Sequence, residues 1–325
     1  MASRFVPRGA VRIEYGRAEI VRLKKAHRSF PIEGEQNWPR LSSAFHQSQH
    51  PCFYSRPLRH WGTTACLLTL AAALYWTIPA NAQGNYEIQV YGADTVEPKT
   101  TMVELHSNYT VEGQKNVIDG VYPTNHQEHE TIEITQGLTS WSEVGFYIFT
   151  SEQNGHGVQW VGDHIRPRVR VPDSWHWPVG VSLSTEIGYQ RPVYSPDTWT
   201  WEIRPIIDKY LGRWYLAFNP ALERTWHGPD VSQGVGFSPG AKVGYDFTKQ
   251  ISGGVEYYAD YGPLGSFYSL HDQQQQIFLV TDLNVSPKWE INIGVGVGPT
   301  ASTDHLIIKG ILGRHFNWKK ESPTD

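Results

Sequence analysis

The run Ile165-Arg166-Pro167-Arg168-Val169-Arg170-Val171 is followed, after a short break, by Val179-Gly180-Val181-Ser182-Leu183-Ser184-Thr185-Glu186-Ile187-Gly188-Tyr189-Gln190. Both runs alternate with period two. Successive side chains of a strand point to opposite faces, so Ile165, Pro167, Val169 and Val171 share one side and three guanidiniums share the other. In the second run Val179, Val181, Leu183, Thr185, Ile187 and Tyr189 oppose a mostly small polar face. The second run, and the stretch 160–171 that contains the first, are about twice the five or six residues usual for strands of soluble sheets. They match the roughly nine to eleven residues of a tilted transmembrane strand, apolar on one face and polar on the other. An Arg on the lipid side at the membrane midplane costs about 2 to 4 kcal/mol. Three would consume much of a typical net stability of about 5 to 15 kcal/mol. The arginines are therefore expected to face a lumen, with Glu186 on the next strand, and Glu104 or Glu133, available to neutralise them.

Composition permits this reading without demanding it. The 325 residues are 39% hydrophobic and 18% charged, with a mean hydropathy of -0.44. A barrel needs only alternate residues to be apolar, so the negative hydropathy does not argue against a membrane. The 13 Trp and 17 Tyr suit interfacial girdles and equally a sugar-binding sandwich. Residues 83 to 325 carry 17 Lys+Arg against 28 Asp+Glu, which argues against a nucleic-acid partner. The cysteines, Cys52 and Cys66, precede the cleavage site described next, leaving neither a disulfide framework nor a Cys metal site.

Residues 1 to 57 show no sustained period and read as a disordered or over-extended N-terminus. Residues 58 to 82 follow the order of a secretory signal: Arg59 and His60, the apolar run Ala65 to Ile78, then Pro79-Ala80-Asn81-Ala82 before Gln83. Residues 83 to 325 would form the barrel. After a strand-like piece, Tyr86 to Gly92, twelve strands are expected near 99–110, 128–139, 143–152, 160–171, 178–190, 198–208, 212–223, 235–247, 250–261, 275–285, 288–298 and 305–318. Connections after even strands are short and those after odd strands mostly longer, the asymmetry of an outer-membrane barrel with both termini on the short-turn side. The expected fold is thus all-β, a closed antiparallel up-and-down transmembrane barrel of about twelve strands. Parity assigns Trp199, Ile207, Trp214, Phe218, Val243, Leu279, Ile293 and Val295, among others, to lipid. Pro167, Pro205, Pro220 and Pro239 each imply a local bulge or a misplaced strand, because a proline removes a ladder hydrogen bond.

The last run, Gly313-Arg314-His315-Phe316-Asn317-Trp318, is similar to the C-terminal assembly signal of bacterial outer-membrane barrels, although Ile311 replaces a polar residue and Lys319 to Asp325 extend beyond it. That resemblance implies a lipid bilayer environment in the outer membrane and the outer-membrane assembly machinery as partners. Parity puts Arg314 on the outward face, so it must lie near an interface. The hairpin from Glu130 to Phe146 resembles the transporters of the phenol-degradation meta-pathway family.

The best functional lead is the lumen set. Arg166, Arg168, Arg170, Arg204, Arg213 and Lys242 stand against Glu186, Glu202, Asp208, Glu223, Asp246, Glu256, Asp260, Asp282 and Glu290. Charged rings set ion selectivity in a pore; equally, such residues pair across strands and fill a narrow lumen. The first reading is a porin- or transporter-like barrel for a small polar or charged solute, not an enzyme, with no cofactor or metal. The alternatives are a barrel enzyme acting on lipid and a soluble periplasmic carbohydrate-binding β-sandwich. His164 and Ser184 are the candidates for the enzyme. Asn125 to Glu130, with His126 and His129, reads as a solvated loop more than a metal site, and Trp175-His176-Trp177 as an interfacial anchor. Gly294, Gly296 and Gly298 alternate with Val295 and Val297, the pattern of a strand and not of a phosphate loop.

Overall fold

The computed structural model describes residues 85–153, 155 and 157–318; the stretches expected to form an N-terminal arm and a secretory signal, both cysteines and residues 319–325 lie outside the described residues. The twelve strands are β1 (Thr100–Glu112), β2 (Glu128–Thr139), β3 (Ser142–Gln153), β4 (Gly157–Arg170), β5 (Gly180–Gln190), β6 (Trp199–Leu211), β7 (Trp214–His227), β8 (Val235–Asp246), β9 (Ile251–Asp260), β10 (Gln274–Leu283), β11 (Trp289–Val297) and β12 (Leu306–Asn317). Each pairs antiparallel with its sequence neighbours, and β1 closes on β12 with Thr100 opposite Asn317. All twelve expected strands are present. The largest extensions are at β7, which runs on to His227, β6, which runs on to Leu211, and β4, which begins at Gly157.

One sheet closed on itself excludes the soluble sandwich. The alternation confirms which face is which: Leu279 is 69% exposed while Phe278 beside it is fully buried. None of the lipid-facing candidates named above is buried. Exposed aromatics gather at both ends of the strands, where girdles meet the headgroups. Trp160, Tyr189 and Trp199 form a row across β4, β5 and β6 near the long connections. Trp214, Tyr245 and Phe247 do so near the short turns. Trp175 and Trp177 stand exposed in the β4–β5 turn. Arg314 points outward at the inner rim, its guanidinium 5.0 Å from the Trp289 ring and 5.1 Å from the Phe316 ring.

The prolines break pairing without shifting register. Pro205 and Pro220 face each other across a gap in the β6–β7 ladder, which resumes in the same register at Ile207 opposite Phe218. Pro220 is in turn opposite Pro239. Pro167 falls in a gap of the β4–β5 ladder. One bulge does occur in β4, where Val161 and Gly162 are both buried, so Trp160 joins Ile165 and Val169 on the outside.

The strand-like reading of Tyr86 to Gly92 needs correction. Residues 85 to 98 form no strand; they run inside the lumen from the long connections to the short turns before β1 begins. At the outer end the Asn85 side chain donates to Asp304 in the β11–β12 connection and to Thr110. At the inner end Glu97 passes so close to Gly137 that a Cβ there would overlap its carbonyl, which is why a glycine stands near the end of β2. β1 and β12 do meet at the inner rim as expected, but the chain preceding β1 doubles back up the lumen.

Candidate functional site

The lumen wall grips the inserted segment through backbone and charge. A segment without sheet partners exposes every N–H and C=O, and a buried one must find side chains to satisfy them. Asn219 on β7 does this twice for Tyr91, accepting from its N–H (2.7 Å) and donating to its carbonyl (3.0 Å). Thr131 donates to the Tyr86 carbonyl (2.6 Å), Asn108 to that of Asn85 (2.9 Å), and Lys309 to that of Ile88 (2.9 Å). Lower down, Arg168 donates to the carbonyls of Gly92 (2.8 Å) and Asp94, while Asp208 and Glu143 accept from the N–H groups of Ala93 (3.1 Å) and Val96 (2.6 Å).

Three ionic groups surround these contacts. On β2 to β4, Arg166 pairs with Glu133 and with Glu143 (3.3 Å), and Arg168 lies 3.6 Å from Glu143. Across the lumen, Glu256 on β9 takes both Lys309 and Lys242 (3.1 Å), and Lys242 also reaches Asp282 (2.9 Å). On β4 to β6, His164 meets Glu186 and Arg204 meets Glu202 (2.7 Å). The Tyr91 ring sits among three guanidiniums, with Arg166, Arg204 and Arg168 at 5.0, 5.2 and 5.8 Å from its centroid, a range in which cation–π attraction operates.

Two cavities remain. An inner one of about 1830 Å³ is bordered by Val90 to Gly92 and by the short turns at Thr248 to Gln250 and Asn284 to Lys288. An outer one of about 320 Å³ lies above Ile88, between the β5–β6, β7–β8 and β9–β10 connections. Their charges differ. The outer cavity is lined by Glu87, Glu186, Asp197, Glu202, Glu223, Asp230 and Asp260 against Arg204 alone. The inner one mixes Asp94, Glu97, Glu104, Glu133, Glu143, Asp246, Glu256, Asp282 and Glu290 with Arg166, Arg168, Lys242, Lys249, Lys288 and Lys309, and the outward-pointing Arg314 only touches its rim. In the outer connections, burial raises the Asp304 carboxyl above its usual range while Thr124, Asn85 and the Gln114 N–H hold it. Asp197 is pushed up to about 6 by burial and by its neighbour Asp230.

Of the residues singled out in the sequence, Arg166, Arg168, Glu186 and Glu256 are buried on the inner wall, and Glu202, Arg204, Glu223, Lys242, Asp246, Asp282 and Glu290 line one of the cavities. Arg170 faces inward near the rim and binds Asp94 (3.1 Å) and Asp173. Arg213 is a correction: it is not on the wall but in the exposed turn between β6 and β7. Its guanidinium donates to the Asp246 carbonyl (2.6 Å) and that of Phe247, over the Tyr245 ring. Alternation splays the Asn125 to Glu130 cluster, with His129 buried against Tyr86 and Glu130 turned to Ser107.

Sequence reading missed the segment itself and its anchors Asn219, Lys309 and Glu143. A signal for it was present on β10 and β12, where Phe278, Val280, Ile307 and Ile311 are apolar on the lumen face. With Ile88 the first three form a buried cluster inside the barrel. An apolar lumen wall needs an apolar occupant.

No family model matches the chain, and no curated protein does. An outer membrane channel from Pseudomonas putida F1 aligns over 71% of this chain and 100% of its own, at 10% identity and a TM-score of 0.49. The KdgM porin aligns over 66% and 99%, at 8% identity and 0.44. LpxR from Salmonella typhimurium aligns over 66% and 100%, at 10% identity and 0.36. These likenesses are too distant to carry residues or roles across. The assignment rests on the molecule's own geometry. A closed twelve-strand sheet with an apolar belt, two aromatic girdles and short turns on one rim defines a transmembrane β-barrel. The chain is an outer-membrane β-barrel, set in a lipid bilayer.

Proposed function

We propose that the protein passes small cationic solutes across the outer membrane, with residues 85 to 98 as the constriction. The observation that carries this reading is the outer cavity, where seven carboxylates stand against a single guanidinium. Low-dielectric walls focus the field of like charges and raise the local concentration of the opposite ion. A cation arriving from outside is drawn in, and an anion is turned away. Below the waist at Tyr91 the near balance of charge removes the trap, so a solute that enters is not held. Delivery to the membrane by the outer-membrane assembly machinery is part of the same reading.

The enzyme alternative has less support. His164 lies opposite Gly188 and Ser184 opposite Arg168, four residues apart along β5, which is roughly 13 Å at 3.3 Å per residue. Of the carboxylate–histidine pairs, Glu186 with His164 faces the lumen, His315 with Glu290 lies at the inner rim, and His271 with its sequence neighbour Asp272 is exposed in the β9–β10 connection.

Single-channel recording in planar bilayers under a salt gradient tests the proposal. Small, steady currents with a cation-selective reversal potential are the expected result. Anion selectivity, or no current in any preparation of folded barrel, would overturn it.

A further inference from the structure

One cluster is not accounted for by the grip on the segment. Glu104 on β1 and Glu133 on β2 are directly opposite each other in the ladder, both face inward, and both are almost fully buried. Like charges directly opposite on neighbouring strands are destabilising. His106, two residues along β1 on the same face, is fully buried beside them. Arg166 answers part of the charge by binding Glu133 Oε1. That leaves Glu133 Oε2, Glu104 Oε1 and both ring nitrogens of His106 buried with no hydrogen-bond partner. The His106 Nε2 to Glu133 Oε2 separation is 3.6 Å, too long for a hydrogen bond. It is close to the ~3.3 Å between two ligand atoms that each sit 2.0 to 2.1 Å from one tetrahedral ion. One donor atom from each of the three residues lies within 4.8 Å of the others.

We propose that Glu104, His106 and Glu133 bind a divalent transition ion of the zinc class. The imidazole nitrogen selects zinc-like ions over calcium or magnesium, which prefer all-oxygen shells. The ion neutralises the opposed carboxylates and gives His106 the partner it lacks. Glu104 and Glu133 also line the inner cavity, while His106 sits behind them, so the ion is reached from the short-turn side and its fourth position opens toward that cavity. Glu143 and Thr135, the latter donating to Glu133 Oε1 at 2.7 Å, hold the second carboxylate and Arg166 in place. No other trio of His, Cys, Asp or Glu among the described residues brings donor atoms this close.

The test uses the tag-free full barrel, folded in detergent and stripped with chelator, with Zn²⁺ alone as the probe. Calorimetry is expected to show one equivalent bound, and Co²⁺ in its place is expected to give the visible bands of a four-coordinate site. His106→Gln and Glu104→Gln are each expected to weaken binding by more than the roughly 10- to 100-fold that follows loss of even an outer-shell partner of a metal ligand. Folding of each variant is read separately from its heat-modifiable mobility on gels. Absence of Zn²⁺ binding to the wild-type barrel overturns the proposal. So does equal binding by the folded variants, which would assign the ion to exposed pairs such as His315 with Glu290. The channel currents need not change in any of these outcomes, so the proposed transport function stands or falls by its own experiment.

Discussion

The cavity above Tyr91 is lined by seven carboxylates and one guanidinium; the one below it is lined by nine carboxylates and six cations, leaving out Arg314, which points outward. The difference lies in what the charges hold. Below the waist, Arg168, Asp208 and Glu143 each bind a backbone atom of the inserted segment, and Lys309 reaches up to the Ile88 carbonyl. Arg166 locks Glu143 in turn, and Glu256, itself held by Lys242, locks Lys309. Above it, the excess negative charge faces a cavity. A barrel can thus use charged rings for two purposes along one axis, to anchor a constriction and to choose what approaches it.

The largest effect should come from removing the segment. Deleting residues 85 to 96 is expected to raise single-channel conductance several-fold while the barrel, whose ladder closes without those residues, still folds. Unchanged conductance would mean that the passage does not run past Tyr91, and the division into two regions would lose its meaning. A finer break of the lower grip is Gly137→Ala. The new methyl would overlap the carbonyls of Val96 and Glu97, forcing the lower end of the segment off the turn. Conductance should become noisy in this variant, with no change in selectivity.

Stability should separate the two regions next. Glu143→Gln leaves the buried Arg166 and Arg168 short of a carboxylate, and breaking one side of a buried pair costs about 3 to 5 kcal/mol. Glu202→Gln above the waist touches Arg204, a pair in which both side chains keep partial exposure, and should cost less than half as much. Urea unfolding of the two variants in lipid vesicles gives the comparison, and equal losses would contradict it. Selectivity should show the reverse order. Neutralising Glu202 and Asp260 together should lower cation preference, whereas Glu256→Gln, in the balanced region, should leave the reversal potential nearly unmoved.

How much of this was legible in the sequence follows from the same division. The lipid face was legible because hydrocarbon asks one thing of every second residue, and Leu183, Leu279, Ile293 and Val295 answer it alike. The lumen face answers to particular partners. Arg166 and Arg168 could be placed inside by their cost in lipid. Glu133 was among the partners alternation offered, and it does pair with Arg166, but the tie of Arg168 to the Gly92 carbonyl depends on a segment that has no period of its own. The same limit hid the Glu104, His106 and Glu133 cluster, since its geometry appears only when β1 and β2 are set in register. Arg213 was misplaced because the turn expected at 209–211 falls instead at Gly212 and Arg213, three residues later.

The smallest expected effect is a titration at the outer mouth. Asp197 Oδ1 accepts the Asp230 N–H at 3.1 Å, tying the β5–β6 connection to the β7–β8 connection. Burial and the Asp230 carboxylate raise its folded pKa to about 6, against about 3.9 in an unfolded chain. A raised carboxyl pKa favours the docked state when the group is protonated. The contribution is therefore fully present below about pH 4 and is lost as pH rises through about 6. Hydrogen exchange at the Asp230 amide, corrected for intrinsic rate, should show protection that falls between those values. Asp197→Asn should flatten the profile by supplying a neutral acceptor at every pH. If protection instead rises with pH, the carboxylate is the docked form. The acidic outer mouth would then be relieved by a bound cation and not by a proton, which would bring the upper region closer in design to the lower one.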